Sequence, residues 1–142
     1  MKNAPSFAPA DSLTPERAWQ WDGITVLTAR AALPQLRGGT RREKRFNRYY
    51  AQLADACFAR CEQKLLPEAA ASCREAMARS APWSRTDASL SYRVEAQTDE
   101  ALVFSFALRC GGALLRQWTD GWDLRLLLPL TGAEVRAALA AQ

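Results

Sequence analysis

Apolar residues follow a helical period through the middle of the chain. In residues 41–66 they recur every three or four positions, which predicts an amphipathic helix with one buried face. Thr40 and Glu43 have the spacing of a capping box at its start. Pro67 predicts an interruption, followed by a second helical segment that ends near residue 80. The predicted buried face consists of Phe46, Tyr50, Leu53, Cys57, Cys61 and Leu65.

Strand-like patterns lie on both sides of this helical region. Before it, the apolar and β-branched run "ITVLTARAAL" is closed by Pro34 and predicts one strand. After it, apolar and polar residues alternate, and the glycine pair at 111–112 predicts a hairpin turn. We therefore expect a three-stranded antiparallel meander with strands at residues 89–96, 101–110 and 113–124.

The order of these elements predicts one α+β domain, and a length of 142 residues suits a single core. Residues 1–22 lack a period and are expected to form an irregular N-terminal arm. Residues 23–142 are expected to form the domain. In it, a long helix, interrupted near Pro67, packs on a mostly antiparallel sheet of about four strands. A short C-terminal helix is expected from about Gly132.

Composition excludes several functional classes. The chain has no histidine, which excludes catalytic arrangements that move a proton through imidazole and removes the commonest zinc ligand. No run approaches the roughly 20 apolar residues of a membrane-spanning helix. The N-terminal region also lacks the apolar stretch of about 7 to 15 residues that a secretory signal requires. As given, the chain is expected in the cytoplasm and without a membrane segment.

Positive charge is concentrated in residues 37–48. The net charge of +4 comes from 19 Lys and Arg against 15 Asp and Glu. Phosphates and bases are possible partners for such a cluster with interleaved aromatic residues. Because Phe46 and Tyr50 fall on the buried face of the helix, we interpret the cluster mainly as its solvated side. Binding of nucleic acid or of another acidic partner is the alternative. The basic patch consists of Arg37, Arg41, Arg42, Lys44, Arg45 and Arg48.

The cysteines and carboxylates do not specify a reaction. The spacing of Cys57, Cys61, Cys73 and Cys110 lacks paired zinc knuckles, so we favour reduced, packed thiols over disulfides or a zinc site. We predict neither a metal nor a cofactor. Two carboxylates that approach each other could serve as acid and base on an envelope glycan, but no pair is specified, and we predict no catalytic residue. The acidic candidates are Glu95, Asp99, Glu100, Asp120 and Asp123.

Aromatic residues are the other candidates for recognition. Tryptophan rings most often belong to the core, although exposed ones recognise carbohydrate or protein. The loops that carry Trp83 and the segment from Trp118 to Trp122 are the best candidates. The predicted ligand-binding residues are Trp83, Trp118, Trp122 and Asp120.

Four segments together resemble a bacterial family, the domain of unknown function DUF3298. They are "VLTARAALPQL", "RFNRYYAQL", "SLSYRVEAQTDEALVFSFAL" and "DGWDLRLLLPL", and the likeness spans residues 24–139. The chain departs from the family pattern at Leu33, where the family often has an aromatic residue, and at Phe46, where it has Ile. It also lacks the glycine expected after Trp122 and Asp123.

The resemblance implies a binding or sensing module without chemistry of its own. Members of the family occur in the extracellular part of an anti-sigma factor that senses lysozyme and beside peptidoglycan deacetylase domains in cell-envelope proteins. A protein or a cell-envelope polymer is therefore the expected ligand, in a location that is usually outside the cytoplasm. Lysozyme itself is strongly basic, and a chain of net charge +4 would meet it against repulsion. We therefore do not transfer that ligand.

Overall fold

The computed structural model describes residues 12–141, which form a curled six-stranded sheet with helices on both of its faces. The strands are hydrogen-bonded in chain order, and all neighbours are antiparallel except β2 and β3, which are parallel. The strands are β1 (Glu16–Trp21), β2 (Ile24–Ala31), β3 (Thr86–Gln97), β4 (Ala101–Cys110), β5 (Ala113–Asp123) and β6 (Leu128–Pro129).

The prediction of about four strands is wrong, although the α+β class holds. β1 lies inside the expected irregular arm, where only Trp19 and Trp21 are half-buried, so the alternation is short and weak. A hairpin turn at Asp22 and Gly23, with φ of 50° and 75°, joins β1 to β2. "DG" is a strong hairpin signal and could have revealed this strand. β6 has two residues and is defined by its pairing with β5. Residues 1–11 of the arm lie outside the described part of the chain.

A continuous helical segment connects the parallel strands β2 and β3. It consists of α1 (Arg41–Arg60), a π-helical turn (Cys61–Leu65) and α2 (Leu66–Ala78). The capping box of Thr40 and Glu43 is present at the start of α1. Pro67 lies in the first turn of α2, directly after the π-helical turn. Proline has no N–H and its ring crowds the preceding turn, so a locally widened helix accommodates it. The predicted interruption is therefore a wide turn, and the helix continues past it.

The helical segment buries its aromatic face against the inner face of the sheet. Phe46 and Tyr50 are fully buried, and Cys61 is 3% exposed, whereas Leu53 and Cys57 are half-buried. The ring of Phe46 lies 4.7 Å from that of Trp122, and the ring of Tyr50 stacks on Phe106 at 5.5 Å. Of the predicted buried stripe, Phe46, Tyr50 and Cys61 are thus confirmed as buried, whereas Leu53, Cys57 and Leu65 lie at its margin. The inner face of β4 supplies Leu102, Phe104, Phe106 and Leu108.

A second, smaller core lies on the outer face of the sheet. It is formed where α3 (Gly132–Ala140) places Val135 against Ala96 and Val103. Gly121 of β5 permits this approach, since a Cβ atom at that position would lie 2.5 Å from Cγ2 of Val135. α3 consequently packs close to the end of β5.

Candidate ligand-binding cleft

A buried tyrosine organises the inner end of β5. Strand alternation places Trp118, Asp120 and Trp122 on the inner face, opposite buried residues of β4. The Tyr50 hydroxyl donates to Oδ2 of Asp120 at 3.1 Å and accepts a hydrogen bond from Nε1 of Trp122 at 2.8 Å. The indole of Trp118 also interacts with the Asp120 carboxylate, in the direction that lowers the pKa of Asp120. These contacts fix the orientation of the carboxylate.

Burial controls the protonation of this cluster. It raises the pKa of Asp120 above the ordinary value of 3.8, although the hydrogen bond from Tyr50, the nearby indole of Trp118 and the charge of Arg116 act to lower it. The pKa of Tyr50 is also raised, first by burial and then by the Asp120 charge. The same two causes raise the pKa of Tyr49. Both phenols therefore keep their protons at neutral pH, and Tyr50 remains a donor to the carboxylate.

A cleft of about 240 Å³ opens beside this cluster, at the edge of β5 where α3 packs. The side chain of Tyr49, which is 43% exposed, lies on one side of it. The remaining walls come from the C-terminal half of β5, from β6 and from α3. The lining residues are Tyr49, Thr119, Asp120, Gly121, Trp122, Pro129, Leu130, Gly132, Val135, Arg136 and Leu139.

The raised pKa of Asp120 predicts a pH-dependent stability. The folded state holds the Asp120 proton more tightly than the unfolded state, so stability falls as the pH rises from 3.8 through the raised pKa. The variant Asp120→Asn lacks this ionisation. Its free energy of unfolding, relative to that of the parent, should therefore increase over this range. Urea unfolding at several values between about pH 4 and pH 7 measures the difference. A difference that is constant with pH would contradict the assignment.

The predicted ligand-binding residues do not all share this cleft. Asp120 and Trp122 line it, although Trp122 is only 3% exposed. The ring of Trp118 stacks on that of Phe106, with 5.2 Å between their centres. The guanidinium of Arg116 lies 5.1 Å from the centre of the Trp118 ring. Trp83 is half-buried against the main core and is not among the lining residues. Trp83 and Trp118 are therefore not part of the cleft lining. A shared binding site stays a prediction for Asp120 and Trp122.

Two residues that line the cleft, Tyr49 and Arg136, were not predicted from the sequence to bind a ligand. Tyr49 lies next to Tyr50 in the helical region and is not among the predicted ligand-binding residues. Arg136 lies on α3, which the sequence pattern could not place against β5. Tyr49 directly precedes Tyr50 in the helix, and a tyrosine left exposed beside a buried one is a signal for a binding residue. The sequence around Arg136 contains no such signal.

Part of the basic patch has a structural role. Nη1 of Arg42 donates to the carbonyl oxygen of Arg125 at 2.9 Å. Nη2 of Arg45 donates to those of Leu126 at 2.8 Å and Leu127 at 3.0 Å. These bonds attach the start of α1 to the turn between β5 and β6. Of the other members, Arg37 is exposed and has an interaction partner. Within residues 12–141, no hydrogen bond or ion pair engages the exposed side chains Arg41, Lys44 and Arg48.

Removing Arg45 tests this structural role. Arg45→Ala should lower the free energy of unfolding by about 1 to 2 kcal/mol, because two charge-assisted hydrogen bonds to the turn are lost. Arg48→Ala, one turn further along the same exposed side, should change it by less than about 0.5 kcal/mol. Chemical denaturation of both variants measures the difference. Equal effects would mean that the bonds of Arg45 contribute nothing to stability.

The cysteines and the remaining carboxylates lie away from the cleft lining. All four cysteines are free, and Cys61 and Cys73 belong to the core. Within residues 12–141 no group of His, Cys, Asp and Glu is arranged to hold a metal ion. Glu100 forms an ion pair with Arg125 at 2.9 Å, and Asp123 accepts hydrogen bonds from the turn that follows it. Asp120 is the only carboxylate among the described residues that lines the cleft.

The fold defines an α+β domain in which a half-barrel sheet wraps around a long helix. No family model and no curated protein matches the chain. Its structure, however, is similar to the crystal structure of a member of the DUF3298 family from Bacteroides fragilis, with a TM-score of 0.54 and 15% sequence identity. The similarity covers 89% of this chain but only 59% of the other. The chain therefore has a DUF3298-like fold, as its sequence segments indicated.

None of the helices in the described region is both long and apolar enough to span a membrane.

Proposed function

We propose that this domain is a non-catalytic binding module that recognises a protein or a cell-envelope polymer at the cleft beside Asp120. The observation that supports this most strongly is the orientation of the Asp120 carboxylate. The hydroxyl of Tyr50, itself fixed by Trp122, holds it in place, and it lines a cleft that also contains the exposed ring of Tyr49. A carboxylate fixed in this way can accept hydrogen bonds from a ligand at little entropic cost.

The chemistry of the cleft suits a polar ligand with a flat apolar face. Tyr49 offers a ring for stacking and a hydroxyl, Asp120 offers acceptors and Arg136 offers donors. A volume of about 240 Å³ is below the range of about 300 to 1,000 Å³ typical of drug-sized ligands. The cleft therefore suits one sugar unit or one side chain of a larger ligand.

The carboxylate hydrolase is less well supported. Glycoside hydrolysis generally uses two carboxyl groups about 5 to 9.5 Å apart that flank the scissile bond. Within the described part of the chain, the cleft lining contains one carboxyl side chain, that of Asp120. Asp123 and Glu100 are engaged in the turn after β5. We therefore prefer recognition to hydrolysis.

Nucleic-acid binding through the basic patch is also less well supported, because Arg42 and Arg45 already bind backbone carbonyl groups. The three cations without such contacts, Arg41, Lys44 and Arg48, lie at exposed positions in the first turns of α1. If the patch bound nucleic acid, affinity for a labelled oligonucleotide would fall steeply with salt and with their replacement by alanine.

Co-sedimentation with purified peptidoglycan sacculi tests the polymer branch of the proposal. We expect the parent chain to sediment with sacculi, and Tyr49→Ala to reduce the bound fraction at least fivefold. Met77→Ala is the matched control, because Met77 is exposed on α2 and away from the cleft lining. Thermal melting of each variant shows whether it is folded. Equal binding by parent and Tyr49→Ala would remove the cleft as the site.

A protein ligand is tested at the same cleft if the chain does not sediment with sacculi. A photo-crosslinking amino acid at position 139, which is exposed and lines the cleft, should then give a discrete crosslinked product in envelope extracts. Tyr49→Ala should abolish that product, and Met77→Ala should leave it intact. Absence of both sedimentation and a Tyr49-dependent product would overturn the proposal.

A further inference from the structure

One edge of β5 is open over most of its length. β5 pairs with β4 from end to end, but on its other edge it pairs with β6 only at Trp122 and Asp123. A hydrogen bond from the amide of Leu130 to the carbonyl oxygen of Gly121, at 2.7 Å, marks the limit of this pairing. Within residues 12–141, no strand covers residues 113–120 on this side.

The open edge presents regularly spaced backbone groups. In an antiparallel strand, the N–H and C=O groups of alternate residues point to the same side. The carbonyl groups of Gly121 and Asp123 point towards β6, because Leu130 and Leu127 donate to them. The backbone groups of Thr119 and Gln117 therefore point outwards as well. The edge contains no proline and no lysine, residues with which proteins commonly block such pairing.

We propose that two copies of this chain pair antiparallel through the open edge of β5, about a two-fold axis at Trp118. In this register, Gln117 of each copy lies opposite Thr119 of the other. Their outward N–H and C=O groups then form about four ladder hydrogen bonds. The two half-barrel sheets become one continuous sheet, through the same patch on both subunits.

The charges along the edge select this register. Arg116 of each copy lies opposite Asp120 of the other, in the closer of the two kinds of cross-strand pair. Both side chains are on the inner face of the sheet, since they pair with Leu108 and Phe104 of β4. A shift of two residues would place Asp120 opposite Leu114 or Trp118 and would lose both charge pairs. The edge is therefore electrostatically complementary to itself in one register only.

The two ends of the open edge are also complementary. β5 has a bulge at Leu115, where Leu108 pairs with Arg116 and Arg109 pairs with Leu114. A bulge interrupts the ladder and bends its strand, so the regular pairing proposed for the open edge ends at Arg116. Leu114, Leu115 and Leu128 are 46%, 50% and 43% exposed. In the antiparallel arrangement, Leu114 and Leu115 of one copy lie near Leu128 in β6 of the other. The dimer thus covers exposed leucines at both ends.

The dimer would place Arg116 of the second copy beside Asp120, at the wall of the cleft. Dimerisation is measured without any ligand, so its failure would leave the proposed function of the cleft intact. Conversely, a dimer that binds neither sacculi nor an envelope protein would leave this inference intact.

A charge-reversal experiment tests the register directly. Sedimentation equilibrium of the parent chain should show a dimer with a dissociation constant between about 1 μM and 1 mM, since the interface is small. In the proposed register, Arg116→Glu places two carboxylates opposite each other, and Asp120→Lys places two cations opposite each other. Each variant alone should dimerise at least tenfold more weakly. An equimolar mixture of the two should restore a heterodimer, because one cross-strand pair then joins the native Arg116 to Asp120 and the other joins the two introduced charges, which are of opposite sign.

Variants of Thr119 and Arg109 provide controls. Thr119→Pro removes an outward N–H that no residue of the described chain accepts, and should weaken the dimer at least tenfold, whereas Thr119→Val should leave it unchanged. This pair keeps the test decisive if Asp120→Lys does not fold. Arg109→Glu, on the exposed outer face of β4, should also dimerise like the parent. A monomeric parent at about 1 mM, or a dimer that tolerates Thr119→Pro, would overturn the proposal.

Discussion

Replacing Tyr50 with alanine is expected to destabilise the domain by about 5 kcal/mol, a large part of the total for a chain of this size. Tyr50 is fully buried and stacks on Phe106. Removal of such a ring costs about 3 to 5 kcal/mol through lost burial and the cavity that remains. It also leaves the buried indole N–H of Trp122 without its acceptor and removes the hydrogen bond from Tyr50 to Asp120, which adds to the cost.

Urea denaturation measures this loss, and Tyr50→Phe separates its two causes. The phenylalanine keeps the ring but removes the hydroxyl, so it should cost about 1 to 3 kcal/mol. If Tyr50→Phe were neutral, the hydrogen bonds to Asp120 and Trp122 would not contribute to stability. If Tyr50→Ala were tolerated with a loss below about 1 kcal/mol, the buried position of Tyr50 would be wrong.

Replacing Phe46 with alanine is expected to cost about 3 to 5 kcal/mol. Phe46 is fully buried at the first turns of α1, and its ring lies 4.7 Å from Trp122 and 6.2 Å from Phe104. It joins the helix to both β4 and β5, so the change should loosen the inner core as a whole. The midpoint of chemical denaturation gives the size of the effect.

Two controls accompany this measurement. Phe46→Leu keeps most of the apolar volume and should cost less than about 1.5 kcal/mol. Met77→Ala removes an apolar side chain that is 52% exposed, and should change stability by less than about 0.5 kcal/mol. Equal losses for Phe46→Ala and Met77→Ala would show that the face containing Phe46 is not packed against the sheet.

The helical half of the fold was accessible from local sequence signals. The period of residues 41–66 identified Phe46 and Tyr50 as buried positions of α1, and Thr40 with Glu43 marked its first residue. These features depend on residues a few positions apart, which is the range over which helical propensity and capping act. The three strands of the meander were found for the same reason, because their alternation is long and regular.

The missing strands depend on contacts between distant parts of the chain. β1 has a weak pattern and is an edge strand stabilised by its hairpin with β2. β6 is too short for any period, and the parallel pairing of β2 with β3 spans the whole helical segment. Local signals do not specify such pairing, because it depends on which strand edges remain free after the helix has packed.

The candidate site was only partly predictable for a similar reason. Asp120 and Trp122 were identified because they lie in one strand. Tyr49 and Arg136 come from two helices on opposite faces of the sheet, and they meet only because Gly121 lets α3 approach β5. The two-sided composition of the cleft therefore could not be predicted from spacing along the chain.

The central claim is that the aromatic face of α1 packs on the inner face of β4 and β5. Nuclear Overhauser spectroscopy on a sample with labelled aromatic rings tests it most directly. Ring protons of Phe46 should show cross-peaks to those of Trp122, and ring protons of Tyr50 to those of Phe106, since their ring centres are 4.7 and 5.5 Å apart. Absence of both sets of cross-peaks in a folded sample would contradict the arrangement of helix and sheet described above.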